Sequence, residues 1–195
     1  MDKTSRIVQN VTQKLGFRLK RPESSLILHY FTEGTTQLSV ICLINGPNLN
    51  LLGIREPDLY GTTSLTEVVQ RLGKRTNQAG HQLTHFQSNT EGALIDYIQG
   101  LGQSVPIALF NPGAYTHTSL ALRDAILAVK LPFIELHLTN LAQREPARQH
   151  SHFTDLAIGL ISGFGALSYD LALEAALLYL GSPTSSGRGI PHGHS

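Results

Sequence analysis

The chain has one cysteine in 195 residues, and no apolar run approaches the ~20 residues that a membrane-spanning helix needs. A lone cysteine cannot form an internal disulfide, and Cys42 lies within an apolar run, so we predict a buried, unreactive thiol. The formal net charge is only +1, which leaves no global field to attract nucleic acid or acidic membranes. The length allows one domain with a substantial core.

Several motifs that would identify a cofactor or nucleophile are also missing. The sequence has no G-x-G-x-x-G after its first predicted strand, no Walker A motif and no G-x-S-x-G elbow. Only Lys74 and Lys130 follow residue 37, and both are expected on or at the end of helices. Dinucleotide binding and a Schiff-base lysine in a pocket are therefore not supported.

Strand-like and helix-like segments alternate from residue 38 onward. We expect strands at 38–44, 82–86, 106–110, 133–138 and 158–162, and helices at 64–79, 91–101, 119–129 and 169–180. Ser64 and Glu67 form a capping-box pattern, and Thr90 is placed to cap the second helix. This alternation predicts an α/β domain with a doubly wound, five-stranded parallel sheet.

The two ends of the chain differ from this pattern. The first 25 residues carry six basic and two acidic side chains, and residues 181–195 are rich in Gly, Ser, Pro and His. We interpret 1–37 as a flexible extension or an overlong reading frame, with a transit peptide as the alternative. The catalytic or binding domain is expected at 38–180, followed by a flexible tail at 181–195.

The loop after the first strand carries Arg55 and Tyr60, five residues apart. Loops at the carboxyl ends of parallel strands are where such proteins place their chemistry. A tyrosine has a pKa near 10, but a neighbouring cation stabilises its phenolate and makes it a usable base. The sequence therefore suggests proton abstraction by a tyrosine.

Polar residues also follow the third and fourth strands, and together with the first loop they should form a pocket. These residues are Asn48, Asn111, His117, Glu135, His137, Thr139, Asn140, Arg144 and Arg148. Glu135 and His137 are two apart in a strand and so share a face, where the carboxylate would fix the imidazole tautomer for use as a general acid. A metal site is the alternative, although no third ligand follows at a suitable spacing.

Four blocks of the chain closely resemble the type II 3-dehydroquinate dehydratases, in the order of that family. The blocks are 45–61, 86–92, 111–119 with Arg123 and Asp124, and 135–151; the closing segment from Gly163 also fits, so the resemblance covers about 38–180. It implies a flavodoxin-like fold and a cytoplasmic lyase that needs no metal or organic cofactor. That lyase converts 3-dehydroquinate to 3-dehydroshikimate by anti elimination of water, in the shikimate route or in quinate catabolism.

The resemblance assigns a role to each site residue. Tyr60 would be the base, Arg55 would lower its pKa, Asn48 would hold a water on the enolate oxygen, and His137, oriented by Glu135, would protonate the departing hydroxyl. The residues expected to bind substrate are Asn111, His117, Arg148, Leu138 and Thr139, with Asp124 supplied by a neighbouring subunit of a trimer-based dodecamer. The 55–60 loop would act as a lid.

Three departures from the family pattern accompany the match. Thr139 stands where serine is common and keeps the hydroxyl, while Ala142 and Ala147 replace larger residues and are expected to loosen the wall behind Arg148. A non-catalytic small-molecule binder on the same fold is the second hypothesis, disfavoured because a binder needs no opposed acid and base. A flavin-containing electron carrier is the third, disfavoured because the first loop lacks a Ser/Thr/Gly-rich phosphate cradle.

Overall fold

The computed structural model describes residues 38–54, 62–102 and 104–181. The strands are β1 (Val40–Asn45), β2 (Gln82–Gln87), β3 (Ile107–Asn111), β4 (Phe133–His137) and β5 (Gly159–Ser162). The helices are α1 (Leu65–Gln78), α2 (Glu91–Leu101), α3 (Leu120–Val129) and α4 (Leu167–Gly181). Among these residues no helix has the length and apolar character to cross a membrane.

The five strands form one parallel sheet in the order β2-β1-β3-β4-β5. This arrangement confirms the predicted doubly wound, flavodoxin-like architecture. The chain moves from β1 to one edge at β2 and then returns to β3 on the other side of β1. The reversal leaves a crevice between the carboxyl ends of β1 and β3, where open α/β sheets bind their ligands.

Both faces of the sheet are covered, because residues along the central strands alternate between two apolar layers. Ile41 and Leu43 pack on one side, where α1 and α4 complete the layer. Cys42 and Ile44 pack on the other side, against α2 and α3. The prediction of a buried Cys42 is confirmed, since its thiol is fully inaccessible and burial raises its pKa.

Helix starts follow the local sequence at Ser64, as predicted, and also at Ser119, where no cap was predicted. Ser64 forms the predicted capping box with Glu67, and Ser119 accepts a hydrogen bond from the Leu122 N–H at the start of α3. Thr90 occupies the N-cap position of α2 but makes no side-chain cap, so that part of the prediction is wrong. The Ser88 hydroxyl instead accepts from the Thr90 N–H and stabilises the turn before the helix.

An ion-pair cluster joins α1 to α4 on one layer. Arg71 donates to both oxygens of Asp170 at 2.7–3.1 Å, and Arg75 donates to Asp170 at 3.0 Å and to Glu174 at 2.7 Å. Burial alone would raise the pKa of Asp170, but the two guanidinium groups hold it below its usual range. This cluster orients the start of α4, the helix that carries Tyr169.

Candidate active site

The loops after β1 and β3 are packed so closely that two glycines are required. The Gly46 N–H donates to the Asn111 carbonyl at 2.8 Å, and a Cβ on Gly46 would overlap the Pro112 carbonyl oxygen. Gly113 has φ 60° and lies against Pro47. Asn48 follows this contact with φ 66°, and its N–H donates to the Asn89 side-chain oxygen at 2.9 Å. The Asn48 side chain is thereby placed at the crevice.

A cavity of about 200 Å³ opens at this edge of the sheet and collects most of the predicted site residues. Its lining draws on the segments that follow β1, β3 and β4. The predicted residues that line it are Asn48, Asn111, His117, His137, Leu138, Thr139 and Arg148, together with Arg144. The convergence expected from three separate loops is therefore observed.

Glu135 lies beneath His137 and is completely inaccessible to solvent. Its Oε1 accepts hydrogen bonds from His137 Nε2 at 2.7 Å and from the Ser151 hydroxyl at 2.6 Å. Its Oε2 accepts one from the Thr154 hydroxyl at 2.6 Å. We call these four side chains the carboxylate cluster.

The carboxylate cluster keeps Glu135 ionised. Burial alone would raise the pKa of Glu135, but the hydrogen bonds from His137, Ser151 and Thr154 lower it below its ordinary value. Because Nε2 of His137 donates to this carboxylate, the second ring nitrogen, Nδ1, is the one that can exchange a proton with a ligand in the cavity. The arrangement suits a general acid.

His117 is held by the 150–155 segment, which also supplies Ser151 and Thr154 to the carboxylate cluster. Its Nδ1 donates to the His150 carbonyl at 2.6 Å, which leaves Nε2 as an acceptor when the ring is neutral. Arg123 fixes this segment by donating to the His152 carbonyl at 2.6 Å and to both oxygens of Asp155 at 2.6 and 2.7 Å. Residues 150–155 thus support both cavity histidines.

Asn111 is held from below by a second group of buried polar side chains. Its Nδ2 donates to the Tyr169 hydroxyl at 3.1 Å, and that hydroxyl donates to Asn45 Oδ1 at 2.7 Å. Asn111 Oδ1 accepts from the Gly113 N–H at 3.2 Å. Asn45 and Tyr169 are fully buried and Asn111 is 2% exposed. We call Asn45, Tyr169 and Asn111 the neutral network.

Two guanidinium groups give the cavity a positive rim. Arg144 donates to the Thr139 hydroxyl at 3.3 Å, and Nε of Arg148 lies 3.2 Å from Glu145. A hydroxyl that accepts from an arginine still has its own proton to donate. This end of the cavity is suited to an anionic group such as a carboxylate.

Some predicted residues are not placed in the cavity. Arg55 and Tyr60 lie outside the described residues. Asp124 is exposed on α3 and does not line the cavity, which is compatible with the expected role toward a neighbouring subunit. Within 38–54, 62–102 and 104–181, no three His, Cys, Asp or Glu side chains form a group that could hold a metal ion.

Sequence reasoning missed four supporting residues: Asn45, Ser151, Thr154 and Tyr169. The one available signal was at Tyr169, an aromatic in the first turn of an apolar helix whose hydroxyl needs a partner once buried. The other three belong to segments whose partners lie far along the chain. No local pattern identifies them.

A flavodoxin-like sheet with a polar cavity at the carboxyl ends of its strands, and a buried Glu135–His137 pair at the end of β4, defines an α/β protein with a site suited to a small polar ligand. The family model "Dehydroquinase class II" matches residues 39–177, and the chain belongs to that family. The family catalyses the dehydration of 3-dehydroquinate to 3-dehydroshikimate in the shikimate pathway.

Individual relatives agree with the family match. The chain is 55% identical over 141 residues to a 3-dehydroquinate dehydratase of Ectopseudomonas mendocina, covering 72% of this chain and 95% of the relative. It is 52% identical to 3-dehydroquinate dehydratase 1 of Pseudomonas aeruginosa, covering 75% and 100%. The crystal structure of type II dehydroquinase from Butyrivibrio crossotus superposes with a TM-score of 0.69 at 37% identity, covering 74% and 99%.

Proposed function

We propose that this chain eliminates water from 3-dehydroquinate and releases 3-dehydroshikimate. The observation that carries the proposal is the buried Glu135–His137 pair, 2.7 Å apart, beneath a cavity of about 200 Å³. A histidine locked against an ionised carboxylate and facing a polar cavity is equipped to donate a proton to a leaving group. A simple binding protein has no use for that arrangement.

The proposed reaction begins at Tyr60. Its phenolate, favoured by Arg55, takes a proton from the carbon next to the ketone and leaves an enolate. A water held by Asn48 stabilises the enolate oxygen. The carbon–oxygen bond to the departing hydroxyl then breaks, His137 protonates that oxygen to form water, and the enolate electrons form the conjugated double bond.

Substrate binding is assigned to the remaining lining residues. Asn111, His117 and Arg148 bind the hydroxyl groups of the ring. The carboxylate is bound by the main-chain N–H groups at Leu138 and Thr139 and by the Thr139 hydroxyl. The positive rim formed by Arg144 and Arg148 supports this orientation. Closure of the 55–60 loop would exclude water from the enolate.

Assembly, location and domain limits are also part of the proposal. We propose a trimer-based dodecamer in the cytoplasm, with a catalytic domain at 38–180 that uses no metal or organic cofactor. An open groove of about 850 Å³ borders α3 and the 140–155 segment. Arg123, the residue before Asp124 in the chain, lines this groove. This groove offers room for a neighbouring copy, whose site would receive Asp124.

The direct test is a continuous ultraviolet assay of the conjugated enone product, using the full chain, 3-dehydroquinate and an excess of chelator. We expect rapid product formation, and a loss of several orders of magnitude in Tyr60→Phe and His137→Gln. Tyr97→Phe is the matched control, because its hydroxyl lies 3.3 Å from the Cys42 thiol on the opposite layer. A folded wild-type protein that forms no product would disprove the proposed function.

A further inference from the structure

The neutral network contains a tyrosine that the proposed reaction does not use. Tyr169 is fully buried, and burial raises the pKa of its phenol, so it acts as a neutral hydroxyl. Its two hydrogen bonds, at 3.1 Å to Asn111 and 2.7 Å to Asn45, join residues 58 and 124 positions away in the chain. It does not line the cavity.

The direction of the hydrogen bonds in this network is fixed from one end. The Gly113 N–H is a main-chain donor and cannot act as an acceptor, so the Asn111 atom that it meets must be the oxygen. The Asn111 nitrogen therefore faces Tyr169 and donates to its hydroxyl. The hydroxyl has one proton, which is then directed to Asn45 Oδ1.

This order leaves Asn111 with one free N–H and one free lone pair for a ligand. An asparagine amide is nearly symmetric in shape, so packing alone does not distinguish its oxygen from its nitrogen. Only the hydrogen bonds to Gly113 and Tyr169 make that distinction. At the other end, Asn45 Nδ2 is buried and has no hydrogen-bond partner among the described residues.

We propose that Tyr169 is a positioning residue that fixes the orientation of the Asn111 amide and thereby sets how the cavity recognises a substrate hydroxyl. The inference rests on the proposed function, because it takes Asn111 to be a substrate ligand. Without the Tyr169 hydroxyl, one of the two bonds that distinguish the amide ends is lost. Substrate binding then weakens while proton transfer at His137 is largely unaffected.

The test compares four proteins: wild type, Tyr169→Phe, Asn111→Ala and the double variant. For each, we would measure kcat and KM for 3-dehydroquinate, and Kd for 3-dehydroshikimate by calorimetry. We expect Tyr169→Phe to raise KM and Kd by roughly 3- to 10-fold, as for one neutral hydrogen bond, with kcat changed less than about 3-fold. In the Asn111→Ala background the same substitution should leave KM and Kd unchanged.

A purely structural role for Tyr169 gives a different pattern. Tyr169→Phe would then raise KM equally in both backgrounds, and that result would overturn the inference. So would a KM for Tyr169→Phe within about 2-fold of wild type. Tyr97→Phe controls for loss of a partly buried phenol oxygen elsewhere, and it should leave KM and Kd unchanged.

A second variant covers the case in which Tyr169→Phe does not fold. Asn45→Leu removes the acceptor of the Tyr169 proton at similar side-chain volume, which lets that hydroxyl turn toward Asn111 and compete for the other amide orientation. We expect a rise in KM of a few-fold, again absent in the Asn111→Ala background; no rise would overturn the inference.

Failure of the proposed function and failure of this inference give different results. If wild-type protein forms no product, the proposed function fails. If Asn111→Ala is impaired but Tyr169→Phe is unaffected, only this inference is contradicted.

Discussion

The carboxylate cluster and the neutral network support neighbouring parts of one cavity by different means. Glu135 is an ion buried completely and satisfied by three donors, two of them hydroxyls from the 150–155 segment. The neutral network has no charged member; Asn45 and Tyr169 are fully buried, and only Asn111 reaches the cavity. One arrangement holds His137 and the other holds Asn111.

The difference lies in what each arrangement can control. A buried carboxylate controls the proton on the imidazole beside it, so its effect depends on pH and appears in the rate. A chain of neutral hydrogen bonds controls which atom faces the ligand, so its effect is independent of pH and appears in affinity. Four predictions test this division, in order of decreasing expected effect.

Glu135→Gln should give the largest effect. Glutamine keeps the size of the side chain but replaces the carboxylate that accepts from His137 Nε2 with a neutral amide, so the imidazole loses the contact that fixes its tautomer and orientation, and we expect kcat to fall by about 10²- to 10⁴-fold. The measurement is steady-state kinetics at pH 7, with Tyr169→Phe as the comparison. If Tyr169→Phe reduced kcat as strongly as Glu135→Gln, the assignment of rate to the carboxylate cluster and of affinity to the neutral network would be wrong.

Stability as a function of pH should separate the two regions next. The pKa of Glu135 is lowered on folding, so its contribution is present above the unfolded value near 4.5 and is lost as pH falls through the folded value. Glu135→Gln should therefore flatten the acid side of the stability curve. Tyr169→Phe should displace the whole curve downward by about 1–3 kcal/mol without changing its slope.

This second prediction is measured by urea unfolding between pH 3.5 and 7 at one protein concentration. The concentration is fixed because an oligomer's apparent stability depends on it. A Tyr169→Phe curve that converges with wild type at low pH would contradict the assignment of a pH-independent role.

Thr154→Val should change the pH dependence of stability by a smaller amount. The 2.6 Å hydrogen bond from Thr154 helps to lower the pKa of Glu135, so its loss should move that pKa back toward the ordinary value and partly flatten the acid side of the stability curve. Urea unfolding between pH 3.5 and 7 would measure the change. Thr154→Ser keeps the hydroxyl and should leave the curve as in wild type; an equal change in Thr154→Ser would contradict the prediction.

Asp170→Asn should give the smallest effect, because the ion pairs between α1 and α4 lie outside the cavity. The side chains of Arg71 and Arg75 are 39% and 35% exposed, so the cost should be only ~1 kcal/mol and should decrease in high salt. Thermal unfolding at low and high salt would measure it. A change in kcat or KM at moderate temperature would show that the start of α4 is less rigid than its packing implies.

The sequence predicted the central strands of the sheet well because β1 and β3 are short, nearly continuous apolar runs that need no knowledge of their partners. The strand expected at 106–110 is Ile107–Asn111, and the helix expected at 91–101 has those same limits. The capping box at Ser64 was also predictable, since both of its partners lie within four residues. Such features are local, and local chemistry determines them.

The supporting residues of the site were not predictable in this way. Tyr169 meets Asn45 across 124 positions, and Thr154 meets Glu135 across 19. Thr90 shows the same limit at short range: it was expected to cap α2 but makes no side-chain cap, and its N–H instead donates to the Ser88 hydroxyl in the turn before the helix. Ser88 and Thr90 both carry a hydroxyl that could accept a main-chain hydrogen bond before α2. The sequence alone does not show which of them does so, because this depends on the path of the chain before the helix.

The Gly113 N–H determines which end of the Asn111 amide is oxygen and which is nitrogen at the floor of the cavity, and this limits how mutation can change the site. Every amino acid except proline supplies a main-chain N–H, so no ordinary codon change at position 113 reverses the donor that orders the network. Replacements there fail instead through strain at φ 60° and contact with Pro47. The oxygen and nitrogen ends of Asn111 are thus inherited with the fold, while side-chain substitutions can only strengthen or weaken that choice.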